Sequence, residues 1–170
     1  MQMGKLPSLC DGLNGDYRAS MRIALFQPEI AGNVGAVMRL GACLGVGLDL
    51  IEPMGFEWDD RRVRRAAMDY VDHVEVSRHR SFADFQAETS TSRLILMSTK
   101  ARESLYDFAF AADDILLFGR ESAGVPDQVA HACHARVRIP IRAEVRSFNL
   151  ATSAAIALGE ALRRTGGLPR

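Results

Sequence analysis

The sequence predicts one α/β domain, with a mostly parallel sheet and helices on both of its faces. Three features lead to that class. Short apolar runs recur along the 170 residues, and they are apolar throughout rather than alternating; strands covered on both sides read that way. Segments with apolar residues at helical spacing fall between those runs, the order of an α/β fold. No internal repeat and no Pro- or Ser-rich linker divides the chain, and its length suits a single domain.

Each element has its own signal. Residues 1–20 (MQMGKLPSLCDGLNGDYRAS) are polar, rich in Gly and Ser and without periodicity. They read as a disordered extension, or as a start placed ahead of Met21, and residues 21–170 carry the domain. The run 22–27 (RIALFQ), stopped by Pro28, reads as a buried strand. Gly32, Asn33 and Gly35 open a helix with Val34, Val37, Leu40 and Leu44 on its apolar side and small residues beside them. A second strand covers 48–51. Asp59 or Asp60 caps a predicted helix that begins at Arg61. Residues 74–76 read as a short third strand and 82–88 as a weak helix. A strand over 93–97 leads into the polar turn Ser98-Thr99-Lys100, and 104–112 is ambiguous between classes. The strand 115–118 runs into a turn holding Gly119, Glu121 and Gly124, and Pro126 opens a short helix reaching 134. The last strand spans 137–141, interrupted by Pro140. A long helix over 147–164 follows, ended by Gly166 and Gly167.

Composition removes several function classes. Hydrophobic residues make up 48%, which excludes a largely disordered chain. The formal net charge of +0 argues against binding driven by net charge alone, while leaving room for a local basic patch. Cys10, Cys43 and Cys133 are an odd set without metal-ligand spacing, so free thiols in a reducing compartment are expected. No apolar run approaches the ~20 residues that span a bilayer, and no apolar signal segment opens the chain. A cytoplasmic protein is the expectation. Ser122 lies in ESAG, which is not the GxSxG elbow of a hydrolase. His131 and His134 flank Cys133 on one short helix but lack a further ligand at suitable spacing. The segment GNVG at 32–35 is not GxGxxG, and no Walker sequence occurs. Taken singly, each glycine is explained by a tight turn or by close helix packing.

The combination says more than any one piece. Three turns follow three predicted strands, after Met97, after Phe118 and after Ile139. Parallel strands bring their C-terminal ends to one edge, so these turns converge on one pocket. Ser98, Thr99, Gly119, Glu121 and the backbone near Ile139 and Ile141 would line it, with Ser147 and Asn149 at the rim. Backbone and apolar groups of this kind suit an adenosine-bearing ligand better than a multiply charged phosphate.

Three ordered stretches resemble the motifs of the SPOUT methyltransferases: NxGxxxR at Asn33, Gly35 and Arg39; LLFGRESAGVP at 116–126; and IPI followed by RSFNLATSAAI within 139–156. The block EPMGFEWDDRRVRRAAMDY at 52–70 is similar to the small tRNA ribose methyltransferases of the TrmL type. The likeness runs from about Met21 to Arg164. It implies an α/β sheet closed by a deep C-terminal trefoil knot, an exception to the rule against knotted chains. It implies S-adenosylmethionine as methyl donor, held by Met97, Gly119, Ile139 and Ser147, with no metal. It implies a homodimer, for which the small-residue helices at 34–45 and 148–164 are suitable surfaces. The implied reaction is 2′-O-methylation of wobble nucleotide 34 of tRNA, a cytidine or a modified uridine.

Arg39 takes the catalytic position of that pattern, with Asn33 positioning it or the ribose and Glu121 as its charge partner. An arginine keeps its proton, so its expected work is to hold a phosphate beside the target ribose rather than to act as a base. Arg61, Arg65 and Arg146 are the expected contacts to the anticodon stem-loop, with Trp58 or Tyr70 available for stacking; a solvated helix face paired with Asp59, Asp60 and Asp69 explains the first two equally well. One departure stands out: Gly159 occupies a position where some relatives carry tyrosine. Two other readings remain open, a 2′-O-methyltransferase for another tRNA or rRNA position and a non-catalytic knotted RNA-binding protein.

Overall fold

The computed structural model describes residues 21–59 and 68–170. Seven strands form one sheet: β1 (Arg22–Phe26), β2 (Gly47–Ile51), β3 (Val76–His79), β4 (Leu94–Met97), β5 (Glu103–Ser104), β6 (Ile115–Phe118) and β7 (Ala135–Arg138). Their order is β3-β2-β1-β6-β4-β7-β5, and every pairing is parallel. Among the described residues the helices are α1 (Ala31–Leu44), α2 (Phe82–Glu88), α3 (Asp127–Ala132) and α4 (Leu150–Thr165), with a 3₁₀ turn at Met68–His73. The predicted class is therefore correct, including the helices on both faces.

Side-chain alternation builds two cores. Ile23, Leu25, Leu48, Leu50, Ile95, Leu116, Phe118 and Val137 face the layer of α1 and α4. Ala24, Phe26, Ile51, Leu94, Leu96, Ile115 and Leu117 face the layer of α2 and α3, with Phe85 and Val129. Burying each such aliphatic chain contributes about 1.5–3 kcal/mol, which is why the central strands need no polar face.

The small residues of α1 and α4 have a role inside the protomer. The two helices pack on each other, Gly35, Ala154, Ala157 and Ala161 are buried, and Gly41 is buried against Val46 and Val74. Small side chains let two helices approach closely while both lie on the sheet. The faces turned outward carry Ala36, Arg39, Cys43 and Ala155.

The carboxylates that enter the layers are paired. Asp114 is fully buried and takes a bidentate contact from Arg93, at 2.7 and 2.8 Å, and the Ala111 amide at 2.8 Å. Asp49 receives Arg22 Nε at 2.7 Å and lies 2.8 Å from His79 Nε2. At the end of α4, hydrogen bonds from Arg163 and then Arg164 hold the Glu160 carboxyl down at about 2. Arg164 also donates to the carbonyls of Tyr106 and Phe108, tying α4 to the segment beside β5.

Several boundaries differ from the sequence expectation. The third strand falls at 76–79 rather than 74–76, because it pairs with β2 in the register Leu48 to Val76. The final strand ends at Arg138, ahead of Ile139 and Pro140. The ambiguous stretch at 104–112 holds part of β5, whose two residues pair only with β7. Helix α4 begins at Leu150, since the Asn149 side chain accepts the amides of Ala151 (2.9 Å) and Thr152 (3.3 Å) as its N-cap. The proposed extension at 1–20 and the arginine helix starting at Arg61 lie outside the described residues. No helix among the described residues is long and apolar enough to cross a membrane.

Candidate functional site

The register of the sheet brings three predicted site residues to one edge. Met97 stands level with Phe118 on β6 and Val137 on β7. Gly119 and Ile139 follow directly, so the turns after β4, β6 and β7 leave the sheet side by side. Met97, Ile139 and Leu150 are partly buried apolar side chains packed on the core at this edge. The Ser98 amide is held by the Val137 carbonyl at 2.9 Å. Ser147 and Arg146 lie in the exposed stretch 142–149 that leads into α4.

The turn after β6 is a closed loop. Arg120 and Gly124 bond reciprocally, each amide donating to the other's carbonyl at 2.9 Å. Gly124 takes φ 68°, a left-handed conformation that glycine adopts readily. The loop folds back so tightly that a Cβ on Gly119 would lie 2.4 Å from the Gly124 carbonyl carbon. The glycine expected to admit a ligand is thus required first by the turn itself.

Glu121 sits at the centre of a polar chain. Its Oε1 accepts Asn33 Nδ2 at 2.9 Å and its Oε2 accepts the Glu29 amide at 2.8 Å. Asn33 is buried on the first turn of α1, and its Oδ1 accepts Asn149 Nδ2 at 2.9 Å. One chain of side-chain bonds therefore links the entrance of α1, the turn after β6 and the N-cap of α4. These are the three motifs named from the sequence.

Arg39 is placed differently from the expectation. Among the described residues no ion pair joins Arg39 to Glu121. The guanidinium instead stands 5.1 Å over the ring of Tyr70. Helix geometry is the reason: six residues advance about 600° around an α-helix, which turns Arg39 roughly 120° away from Asn33. Asn33 points into the chain of bonds while Arg39 is exposed on the outer face. The aromatic contact contributes about 0.5–1 kcal/mol and, more to the point, limits where the guanidinium goes. Trp58, expected as a stacking platform, carries the guanidinium of Arg78 at 4.9 Å, and Arg78 also bonds Glu52. Arg61 and Arg65 lie outside the described residues.

Residues that sequence reasoning passed over are Gln27, Glu29 and the side chain of Ser122. The Glu29 carboxylate accepts the Ser122 hydroxyl at 2.7 Å and the Ser122 amide at 2.8 Å. Those bonds, the hydroxyl foremost, hold its carboxyl below the usual carboxylate range. The contact is present above the ordinary value of 4.5 and is lost as pH falls through the depressed one. A pairing across ninety-three positions leaves no periodic trace in one sequence.

Known proteins match both the sequence and the fold. The SpoU rRNA methylase family matches residues 20–159. A tRNA (cytidine(34)-2'-O)-methyltransferase of Beijerinckia indica subsp. indica is 54% identical over 151 residues, covering 87% of this chain and 94% of that protein. Its counterpart of the same name in Escherichia coli (strain K12) is 37% identical over 148 residues, covering 86% and 94%. Among solved structures, one concerned with the 2-OH methylation of C/U34 on tRNA aligns with a TM-score of 0.81 at 39% identity, covering 86% of this chain and 96% of that one. The SpoU methyltransferase AviRb of Streptomyces viridochromogenes, solved in complex with AdoMet, shares the fold at TM-score 0.79 and 23% identity, over 86% of this chain and 58% of its own. The matched range takes in all seven strands, the glycine turn and the positions of Asn33, Glu121 and Asn149, and the chain belongs to the SpoU rRNA methylase family.

Proposed function

We propose that this chain transfers a methyl group from S-adenosylmethionine to the 2′-hydroxyl of nucleotide 34 of tRNA, a cytidine or a modified uridine. The observation that carries the reading is the bonded chain Asn149–Asn33–Glu121, which gathers the three motifs of a ribose methyltransferase at one sheet edge. The high identity to proteins named for that reaction, over nearly their whole length, supports the choice of nucleotide.

The residues present fit the methyl donor. Met97, Ile139 and Leu150 offer apolar wall, and the turn 119–124 offers backbone. Met97, Gly119, Ile139 and Ser147 are the groups that would hold it. When bound it supplies a methyl group already activated on a sulfonium. The protein's task is to align the 2′-oxygen with that methyl and to ease loss of the hydroxyl proton. Arg39, permanently charged and steadied by Tyr70, binds a phosphate beside the target ribose. The positive charge orients the hydroxyl and favours its ionisation. Asn33 and Glu121 keep α1 in register with the cofactor turn. Arg61, Arg65 and Arg146 contact the anticodon stem-loop.

Three further parts belong to this reading. The reading includes a C-terminal trefoil knot, which the placing of β7 between β4 and β5, neighbours in sequence, supports. Ile30 (52%), Val145 (54%) and Phe148 (43%) stay exposed around the site, and a second copy covers them in a homodimer. In sedimentation equilibrium a single 18.7 kDa species would sink the dimer. Cys43 and Cys133 are free thiols, in keeping with work in the cytoplasm.

Nucleoside mapping tests the reaction. Purified protein, tRNA from a strain lacking this gene and S-adenosylmethionine are expected to yield one new 2′-O-methyl group, at nucleotide 34. A methyl group elsewhere would redirect the assignment to another RNA position, and none at all, with RNA still bound, would leave a binding protein.

A further inference from the structure

The chain between β1 and α1 and the turn after β6 meet residue for residue. Arg120 Nη2 donates to Gln27 Oε1, and its guanidinium lies 5.7 Å over Phe26. The Glu29 amide donates to Glu121 Oε2 at 2.8 Å. In return, the Ser122 amide and hydroxyl donate to the two Glu29 carboxylate oxygens, at 2.8 and 2.7 Å. The bond is reciprocal: each of two acidic residues accepts from the backbone or side chain of the other's loop. We propose that Glu29 and Ser122 are positioning residues of the transfer reaction, forming a clasp that fixes the turn of Gly119 and Glu121 against the entrance of α1, which carries Asn33 and Arg39.

Neither residue touches the reacting atoms. Their effect passes through what they join. Asn33 to Glu121 is the other side-chain bond from α1 to that turn, and a single bond leaves a hinge. Adding the Glu29 amide on Glu121, the Glu29–Ser122 pair and the Arg120–Gln27 contact gives four points of attachment, enough to set an orientation. In-line transfer is sensitive to misplacement, and about 1 Å is enough to cost roughly a hundredfold. The clasp also lies outside the cores. Glu29 and Ser122 belong to no strand or helix, and Ser122 is exposed. Opening the clasp therefore loosens the turn without emptying a packed layer.

The inference rests on the ribose-methyltransfer reading, and the experiment separates the two. The full chain and its E29Q, S122A, S122T and E29Q/S122A variants are compared with tRNA and S-adenosylmethionine. E29Q and S122A are each expected to lower kcat about tenfold, the scale of losing a hydrogen bond to a charged group. KM for tRNA stays within about threefold, since no RNA contact is removed. The double variant is no worse than the weaker single, because both changes open one contact. S122T, which keeps the hydroxyl, retains most of the rate. In the cofactor-free chain, amide exchange at residues 121–124 quickens in E29Q and S122A and not in S122T. Unchanged kcat in both single variants overturns the clasp while leaving the reaction intact. A multiplicative loss in the double variant, or a fall in kcat matched by a fall in melting midpoint, also overturns it in favour of independent or purely structural roles. Failure of the unaltered chain to methylate nucleotide 34 removes the reading beneath both.

Discussion

Arg39→Ala is expected to lower methyl transfer by about a hundredfold or more while leaving S-adenosylmethionine affinity and the melting midpoint close to those of the parent. The side chain is exposed on α1 and stands over the Tyr70 ring, so truncating it empties no packed layer. In the proposed role the lost group is a fixed positive charge beside the ribose, and a charge that acts where negative charge develops has its largest effect on kcat. Arg39→Lys is expected to fall between the two, because an ammonium keeps the charge but not the planar fork that grips a phosphate and stacks on a ring. Single-turnover transfer measured alongside cofactor binding by calorimetry checks this. Near-normal turnover in Arg39→Ala would end the proposed role and shift attention to Asn33 and Glu121.

Gly119→Ala is expected to damage both stability and cofactor binding. The new methyl would meet the Gly124 carbonyl carbon at 2.4 Å, its Cα at 2.7 Å and its oxygen at 2.8 Å. All three are backbone atoms, so no side chain can swing aside. The turn must open, and the two Arg120–Gly124 bonds go with it. Overpacking costs about 1–3 kcal/mol and each lost bond about 1 kcal/mol, which together lower the melting midpoint by roughly 5–15 °C in a chain of this size. The displaced turn is also one wall of the proposed cofactor site, so affinity for S-adenosylmethionine is expected to drop at least about tenfold, the same order as losing one or two hydrogen bonds. Thermal melts and calorimetry read the two effects separately. A variant that melts within a degree of the parent and binds normally would show that the turn has room that its geometry denies.

The sequence by itself determined the class of the protein and the order of its parts. Apolar runs such as ILLF at 115–118 declare strands because both of their faces are buried, and that is a local property of the residues. The repeat of Val34, Val37 and Leu40 declares a helix for the same reason. The motif residues were also legible, Gly119 and Glu121 as a turn after a strand, Asn149 as the rim of the same pocket, and Asn33 through the resemblance to a known family. Partnerships between distant segments were decided by the tertiary structure alone. Glu29 reads as an ordinary loop acid until the sheet order places β1 beside β6 and brings Ser122 to its carboxylate. Arg39 reads as the natural partner of Glu121 until the pitch of α1 carries it round to Tyr70. Strand β5 is too short to announce itself, and it exists because β7 arrives later to pair with it. The physical reason is the same in each case: hydrophobic periodicity is written along the chain, whereas a hydrogen bond between loops about ninety residues apart depends on which strands lie side by side, and that is set by the packing of the whole sheet.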